Sequence, residues 1–211
     1  VERFLVEGPA RAPLTLVLAH GAGAPMDSPF MSTIAAGVAK AGFRVVRFEF
    51  PYMAARREGG KRGAPDRPAI LEAAWRDAIR EAAGKKGPAS VAIGGKSMGG
   101  RIASMVADEA GVAGLVCFGY PFHPPGQPEK LRVAHLERLK TPTLIAQGER
   151  DQFGTRDEIA RYRLSKNIRV LFLPDGDHSF KPRADSGRTE SQNVGDAIAA
   201  AAAFLRSLAN A

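Results

Sequence analysis

The chain is nearly without cysteine: Cys117 is the only one in 211 residues. No disulfide can form within it, so stability has to come from a packed core, and the thiol count fits a reducing, cytoplasmic setting. Cys117 lies in an apolar run and reads as a small buried strand residue. No apolar run approaches the roughly 20 residues that cross a bilayer, which argues against a membrane partner. The segment Val1 to Gly8 lacks the basic-then-apolar order of a secretory signal. The chain starts at Val1 without an initiator Met, which reads as a trimmed or engineered terminus and leaves room for a removed leader. What is present is ordinary for a soluble globular protein, with 45% hydrophobic and 25% charged residues. The length suits one domain spanning residues 1–211, with enough core to need no metal.

Charge of one sign is in excess, at +8. The cations are mostly scattered arginines that thicken at Arg56, Arg57, Lys61 and Arg62. No aromatics are interleaved there, so the stretch reads as a solvated basic loop and no nucleic-acid partner is expected. If that loop borders a pocket, it favours an anionic substrate.

Apolar runs of strand length alternate with longer helical patterns, an order that makes a parallel sheet with helices on both faces. Strands are expected at 14–19, 43–50, 91–94, 112–118, 143–147 and 168–173, with an edge strand at 1–7. Ser28 followed by Pro29 reads as a capping hydroxyl and a first-turn proline, opening a helix that ends at Gly42. Further helices are expected at 68–83 and 98–109. Residues 54–65 and the proline-rich 119–130 read as loops. Thr155 with Glu158, and Thr189 with Gln192, are capping boxes that open two more helices. No repeat or linker divides the chain.

Gly95-Lys96-Ser97-Met98-Gly99 fits G-x-S-x-G, with a strand ending before it and a helix starting after it. Glycines on both sides let the backbone turn sharply without a Cβ clash and present the serine above the sheet. The N–H after the serine, at a helix N-terminus, then faces negative charge developing on a substrate. The rival reading, a phosphate-binding loop ending in Gly-Lys-Ser, needs a glycine where Ser90 stands.

Of four histidines, His178 follows the last strand, in Asp-Gly-Asp-His-Ser-Phe, at the sheet edge that presents Ser97. His20 ends the first buried strand and reads as a loop-shaping residue, His123 as an exposed residue of the proline-rich loop or alternatively a substrate contact, and His135 as a surface residue. A histidine base needs a carboxylate to set its tautomer. Asp151, after the penultimate strand, completes the order serine, aspartate, histidine that this architecture uses. Glu149, Asp175 and Asp177 compete; the last two lie too near His178 in sequence and read as turn formers. The second oxyanion donor is expected from His20-Gly21-Ala22-Gly23: Ala22 N–H, or alternatively Gly23 N–H, beside Met98 N–H.

These segments resemble α/β-hydrolases related to dienelactone hydrolase. The carriers are LAHGAGAPMDSPFM, RFEFPYM, GGKSMGGRIAS, GYPFHPPGQPEKLR, PTLIAQGERDQFG and PDGDHSFKP, spanning residues 18–182 in matching order. They are most similar to the bacterial hydrolase-like group that includes the testis-expressed and nonspecific-lethal-complex hydrolase-like proteins. The resemblance implies Ser97 as nucleophile, Asp151 as acid, His178 as base, and no metal or organic cofactor. Some members of the group serve in assemblies. Dienelactone hydrolase itself uses a cysteine where this chain has Ser97, so its substrate does not carry over.

The expected fold is a minimal, mostly parallel, doubly wound α/β sheet without a lid domain, where only the loop 120–130 is long enough to cover the site. A shallow pocket is expected from Phe50, Tyr52, Tyr120, Phe122 and Met98. The expected activity is hydrolysis of an ester-, thioester- or amide-type bond of a small acyl substrate. The alternative is a non-catalytic interaction module that kept the fold.

Overall fold

A computed structural model describes residues 3–60 and 63–210. The strands β1 (Phe4–Glu7), β2 (Thr15–Ala19), β3 (Arg44–Phe48), β4 (Val91–Lys96), β5 (Gly114–Phe118), β6 (Thr143–Gly148) and β7 (Ile168–Leu173) form one sheet. Its order is β1-β3-β2-β4-β5-β6-β7. All neighbours are parallel except the edge strand β1, which runs antiparallel to β3 with Phe4 opposite Phe48. Parallel strands covered on both faces read as continuous apolar runs, and β5, Gly-Leu-Val-Cys-Phe, is buried at every residue. Burial pushes the Cys117 thiol up, away from its reactive form.

Alternate strand residues supply two cores. Leu16, Leu18, Val116, Phe118 and Leu144 face helices α1 (Pro29–Lys40) and α6 (Glu190–Ala209). On the other face, Val17, Ile93, Leu115 and Ile145 meet α3 (Pro68–Ala83) and α4 (Met98–Ala110). Trp75 of α3 is fully buried, stands edge-on to Phe48 at 4.8 Å, and donates its indole N–H to Gly99 O at 3.3 Å. The largest core residue is thereby tied to the first turn of α4.

Both capping boxes form, at α5 (Arg156–Ile159) and at α6. The Ser28 hydroxyl does not cap α1; proline at its start and the backbone do the work the side chain was expected to do. Within the expected loop 54–65, the chain instead continues a helix α2 (Pro51–Arg57). Pro51 suits a first helical position, and the Asp66 carboxylate accepts the otherwise unpaired first-turn N–H of Tyr52 at 2.9 Å. That partner lies 14 residues away, so no local signal announces it. Lys61 and Arg62 lie outside the described residues. Among the described residues no helix is long and apolar enough to cross a membrane.

Candidate active site

The chain leaves β2 outward to β3 and returns on the other side as β4, so the loops after β2 and β4 part and open a crevice beyond the strand ends. Ser97 follows β4 there, with φ 52° and ψ −117°, a left-handed conformation that a non-glycine residue holds only under strain. The flanking glycines are needed sterically: a Cβ on Gly95 would lie 2.1 Å from Ala19 O, and one on Gly99 2.4 Å from the same oxygen. The turn therefore presses against the end of β2.

Ser97 Oγ lies 2.9 Å from His178 Nε2, and His178 Nδ1 lies 2.8 Å from Asp151 Oδ2. Asp151 is acceptor-only as a carboxylate, so Nδ1 carries the proton and Nε2 is free to accept the Ser97 hydroxyl. Asp151 is fully buried. Its Oδ2 also accepts Gln147 Nε2–H at 2.9 Å and its Oδ1 accepts Phe153 N–H at 2.9 Å. Gln147, buried on β6, in turn receives Tyr120 N–H on its Oε1 at 2.7 Å. The competing carboxylates are engaged elsewhere. Asp177 Oδ1 accepts the Ser179 and Lys181 N–H groups, Asp175 pairs with Arg183, and Glu149 accepts Asp175 N–H.

His20 shapes its loop as expected. Its Nδ1 lies 2.7 Å from Gly21 O, and its Nε2 accepts Phe50 N–H at 3.1 Å. The Tyr52 hydroxyl donates to Ala22 O at 2.9 Å, pinning the same loop. Among the described residues no hydrogen bond engages Ala22 N–H or Gly23 N–H, and both residues line the cleft with Ser97. Met98 is the first residue of α4, where an N–H has no intrahelical acceptor.

The aromatic pocket expected from sequence is corrected. Phe50, Tyr120 and Phe122 are wholly buried and Tyr52 is buried to 9% exposure, so none forms a substrate wall. Phe50 packs on Phe48, Tyr120 on Phe122, and Phe122 on Tyr162; the Met98 side chain packs half-buried against the same core. The cleft, of roughly 390 Å³, is instead walled by Phe30 and Met31 of α1, Phe153, Lys96 and Ser179. Phe153 lies with its ring 4.2 Å from the His178 ring. The loop 120–130 does not line this cleft. His123, expected to be exposed, is buried, with its backbone N–H on Phe153 O and its Nε2 3.4 Å from Glu158 Oε2. His135, expected at the surface, is half-buried with Nε2 2.8 Å from Ser104 Oγ.

The basic stretch is also less free than its composition suggests. Arg57 bonds Asp27 at 2.8 and 2.9 Å and Glu49 at 2.6 and 3.0 Å. Those carboxylates hold its guanidinium firmly charged. Arg56 stacks over the Tyr52 ring at 5.1 Å and donates to Gly63 O.

The Alpha/beta hydrolase domain family matches residues 12–206. The chain belongs to that family. Solved structures agree on the fold. An α/β serine hydrolase homologue from Coxiella burnetii is 17% identical, with a TM-score of 0.71 over 97% of this chain and 90% of that one. A dienelactone hydrolase from Anabaena variabilis is 20% identical, with a TM-score of 0.70 over the same shares of 97% and 90%. A Xanthomonas campestris protein described as an α/β serine hydrolase without lid is 17% identical, with a TM-score of 0.67 over 97% and 88%.

Burial sets the titration of the candidate base. A carboxylate partner by itself raises a histidine's pKa. In the structure desolvation outweighs the Asp151 bond, and the Lys96 charge adds to it, so His178 titrates below its ordinary 6.5. A base must be neutral to take a proton. We therefore expect kcat/KM for an ester to be near its plateau at neutral pH and to fall as pH drops through a midpoint below ~6.5. A stopped-flow or spectrophotometric pH profile checks this; a midpoint above ~7 contradicts the burial argument.

Proposed function

We propose that this chain is a serine hydrolase that cleaves an ester-, thioester- or amide-type bond of a small acyl substrate, without metal or organic cofactor. The observation that carries the proposal is the continuous hydrogen-bonded line from Ser97 through His178 to buried Asp151, opening on a cleft. In this reading His178 takes the Ser97 proton as Oγ attacks the carbonyl carbon. Met98 N–H with Ala22 or Gly23 N–H holds the oxyanion. His178 then returns the proton to the leaving group, and water, activated by the same imidazole, releases the acyl-enzyme. The finer kinship with the testis-expressed and nonspecific-lethal-complex hydrolase-like group belongs to this proposal, supported by the residues quoted above. So does a cytoplasmic setting, supported by the lone, buried thiol of Cys117.

A fluorophosphonate probe tests the reading. Wild-type protein is expected to be labelled at Ser97 and the Ser97→Ala variant to be blank. An unlabelled, correctly folded wild type would leave the interaction-module reading standing instead. Since Asp27 and Glu49 match the charge of Arg57, any preference for an anionic acyl group is expected to be slight. Neutral and anionic esters of equal chain length, compared at low and high salt with and without Arg56→Ala/Arg57→Ala, measure it. A large preference that survives the double change places the charge selection elsewhere.

A further inference from the structure

Lys96 is the residue immediately before the nucleophile candidate, at the end of β4. Its side chain points to the α1/α6 face, where the ammonium lies 5.2 Å from the Phe30 ring and 5.5 Å from the Phe180 ring. Among the described residues its side chain makes one hydrogen bond, to the carbonyl oxygen of His178. Gly119, whose φ of +68° suits glycine, lies beside the ammonium: a Cβ there would sit 2.7 Å from Nζ.

Several other carbonyls of the turn that carries His178 have donors of their own. Gly176 O accepts Arg150 N–H, Asp177 O accepts Phe180 N–H, and Lys181 O accepts Asp177 N–H. Pro174 O and Phe180 O accept the Asn193 amide. At His178 itself the donor is the Lys96 side chain, at the end of β4. An ammonium has three donors; one meets the His178 carbonyl, and the charge lies within cation–π range of two aromatic rings. A methionine would pack between the same rings without the cost of desolvating a charge.

We propose that Lys96 is a positioning residue for the base, so that adjacent residues at one strand end grip the same histidine, Ser97 Oγ at the ring and Lys96 Nζ at the main-chain carbonyl. This rests on the hydrolase reading for its catalytic meaning. The groups that face the imidazole are Asp151, Asp177 and Lys96; the two carboxylates favour its charged form and the ammonium opposes it. The same two carboxylates partly support Lys96 against burial, which still pulls its ammonium down to about 8. Burial is the main force that favours the neutral imidazole; the cation adds to it, while its hydrogen bond holds the main chain that carries the ring.

The test is Lys96→Met, with Lys96→Gln as a second neutral variant should methionine impair folding, and Lys96→Arg as the charge-retaining control. The His178 ring nitrogens are titrated by NMR, and kcat and KM are measured on a neutral ester. Loss of the charge is expected to raise the His178 midpoint by roughly half a unit to one unit. The acid limb of the rate should move with it, and kcat should fall on the order of 10- to 100-fold with little change in KM. Lys96→Arg is expected to keep the wild-type midpoint. An unmoved midpoint with unchanged kcat in a folded neutral variant overturns the proposal, as does a loss confined to anionic esters, which would make Lys96 a reader of substrate charge. The NMR titration needs no turnover. A midpoint that moves in a protein that neither labels nor turns over would therefore remove the hydrolase reading while leaving the grip of Lys96 on His178 in place.

Discussion

Ser97→Ala is expected to lower kcat for ester hydrolysis by roughly 10⁴- to 10⁶-fold, because members of such a constellation act as one unit and removing the nucleophile leaves only the oxyanion donors and binding. The fold is expected to survive. Among the described residues the Ser97 side chain makes one hydrogen bond, to the half-buried His178, and Ser97 N–H bonds Phe118 O through the backbone, which alanine retains. The strained φ of 52° is enforced by the strand–helix junction and by the packing of Gly95 and Gly99 on Ala19 O. Circular dichroism and thermal unfolding should overlay the wild type while turnover is lost. A folded variant with wild-type turnover would remove Ser97 from the chemistry.

Asp151→Asn is expected to cost roughly 10⁴-fold in kcat with the shape of the side chain unchanged. Oδ2 of Asp151 receives two hydrogen bonds, from His178 Nδ1–H and Gln147 Nε2–H, and Oδ1 receives one, from Phe153 N–H. An asparagine places an NH₂ at one of those positions. At the Oδ2 position it faces the Gln147 amide donor and donates to His178 Nδ1. The ring is then driven to the tautomer with hydrogen on Nε2, which has no lone pair for the Ser97 proton. At the Oδ1 position it faces Phe153 N–H. Either arrangement opposes buried donors and costs on the order of 1–3 kcal/mol of stability, so a lower thermal midpoint should accompany the loss of rate. Retention of more than about a tenth of wild-type kcat would show that no anionic partner for His178 is required.

Much of this was legible along the chain because it is local. Alternation of apolar runs and helical patterns was enough for the parallel sheet, and the helix expected at 68–83 has those bounds in the structure. Both capping boxes are contained within four residues and both form. The order Ser97, Asp151, His178 could be placed just beyond the ends of β4, β6 and β7 because parallel strands deliver all their carboxyl ends to one edge. The hydroxyl, imidazole and carboxylate therefore meet within 2.9 Å although they are 27 and 81 residues apart.

Other features depend on partners that no local pattern names. Helix α2 continues into the expected loop because Asp66 folds back onto its first turn. The glycine- and proline-flanked aromatics Phe50, Tyr120 and Phe122 sit beside the site in sequence, yet they are buried. Side-chain direction at a strand end depends on the turn that follows, and composition carries no record of it. The cleft walls are Phe30 and Phe153, brought there by the packing of α1 and by the turn after Asp151. Arg57 looked like a free cation until Asp27 and Glu49, from two other loops, closed on it. Likewise a lysine inside G-x-S-x-G reads as a variable position, and only the tertiary structure, by laying the turn after β7 across the end of β4, aims its ammonium at the main chain of His178. Sequence alone thus determined what backbone geometry and nearest neighbours enforce: the elements, the sheet and the order of reactive groups. The shape and charge of the site were decided by contacts between distant segments, whose energies exist only once the sheet has brought them together.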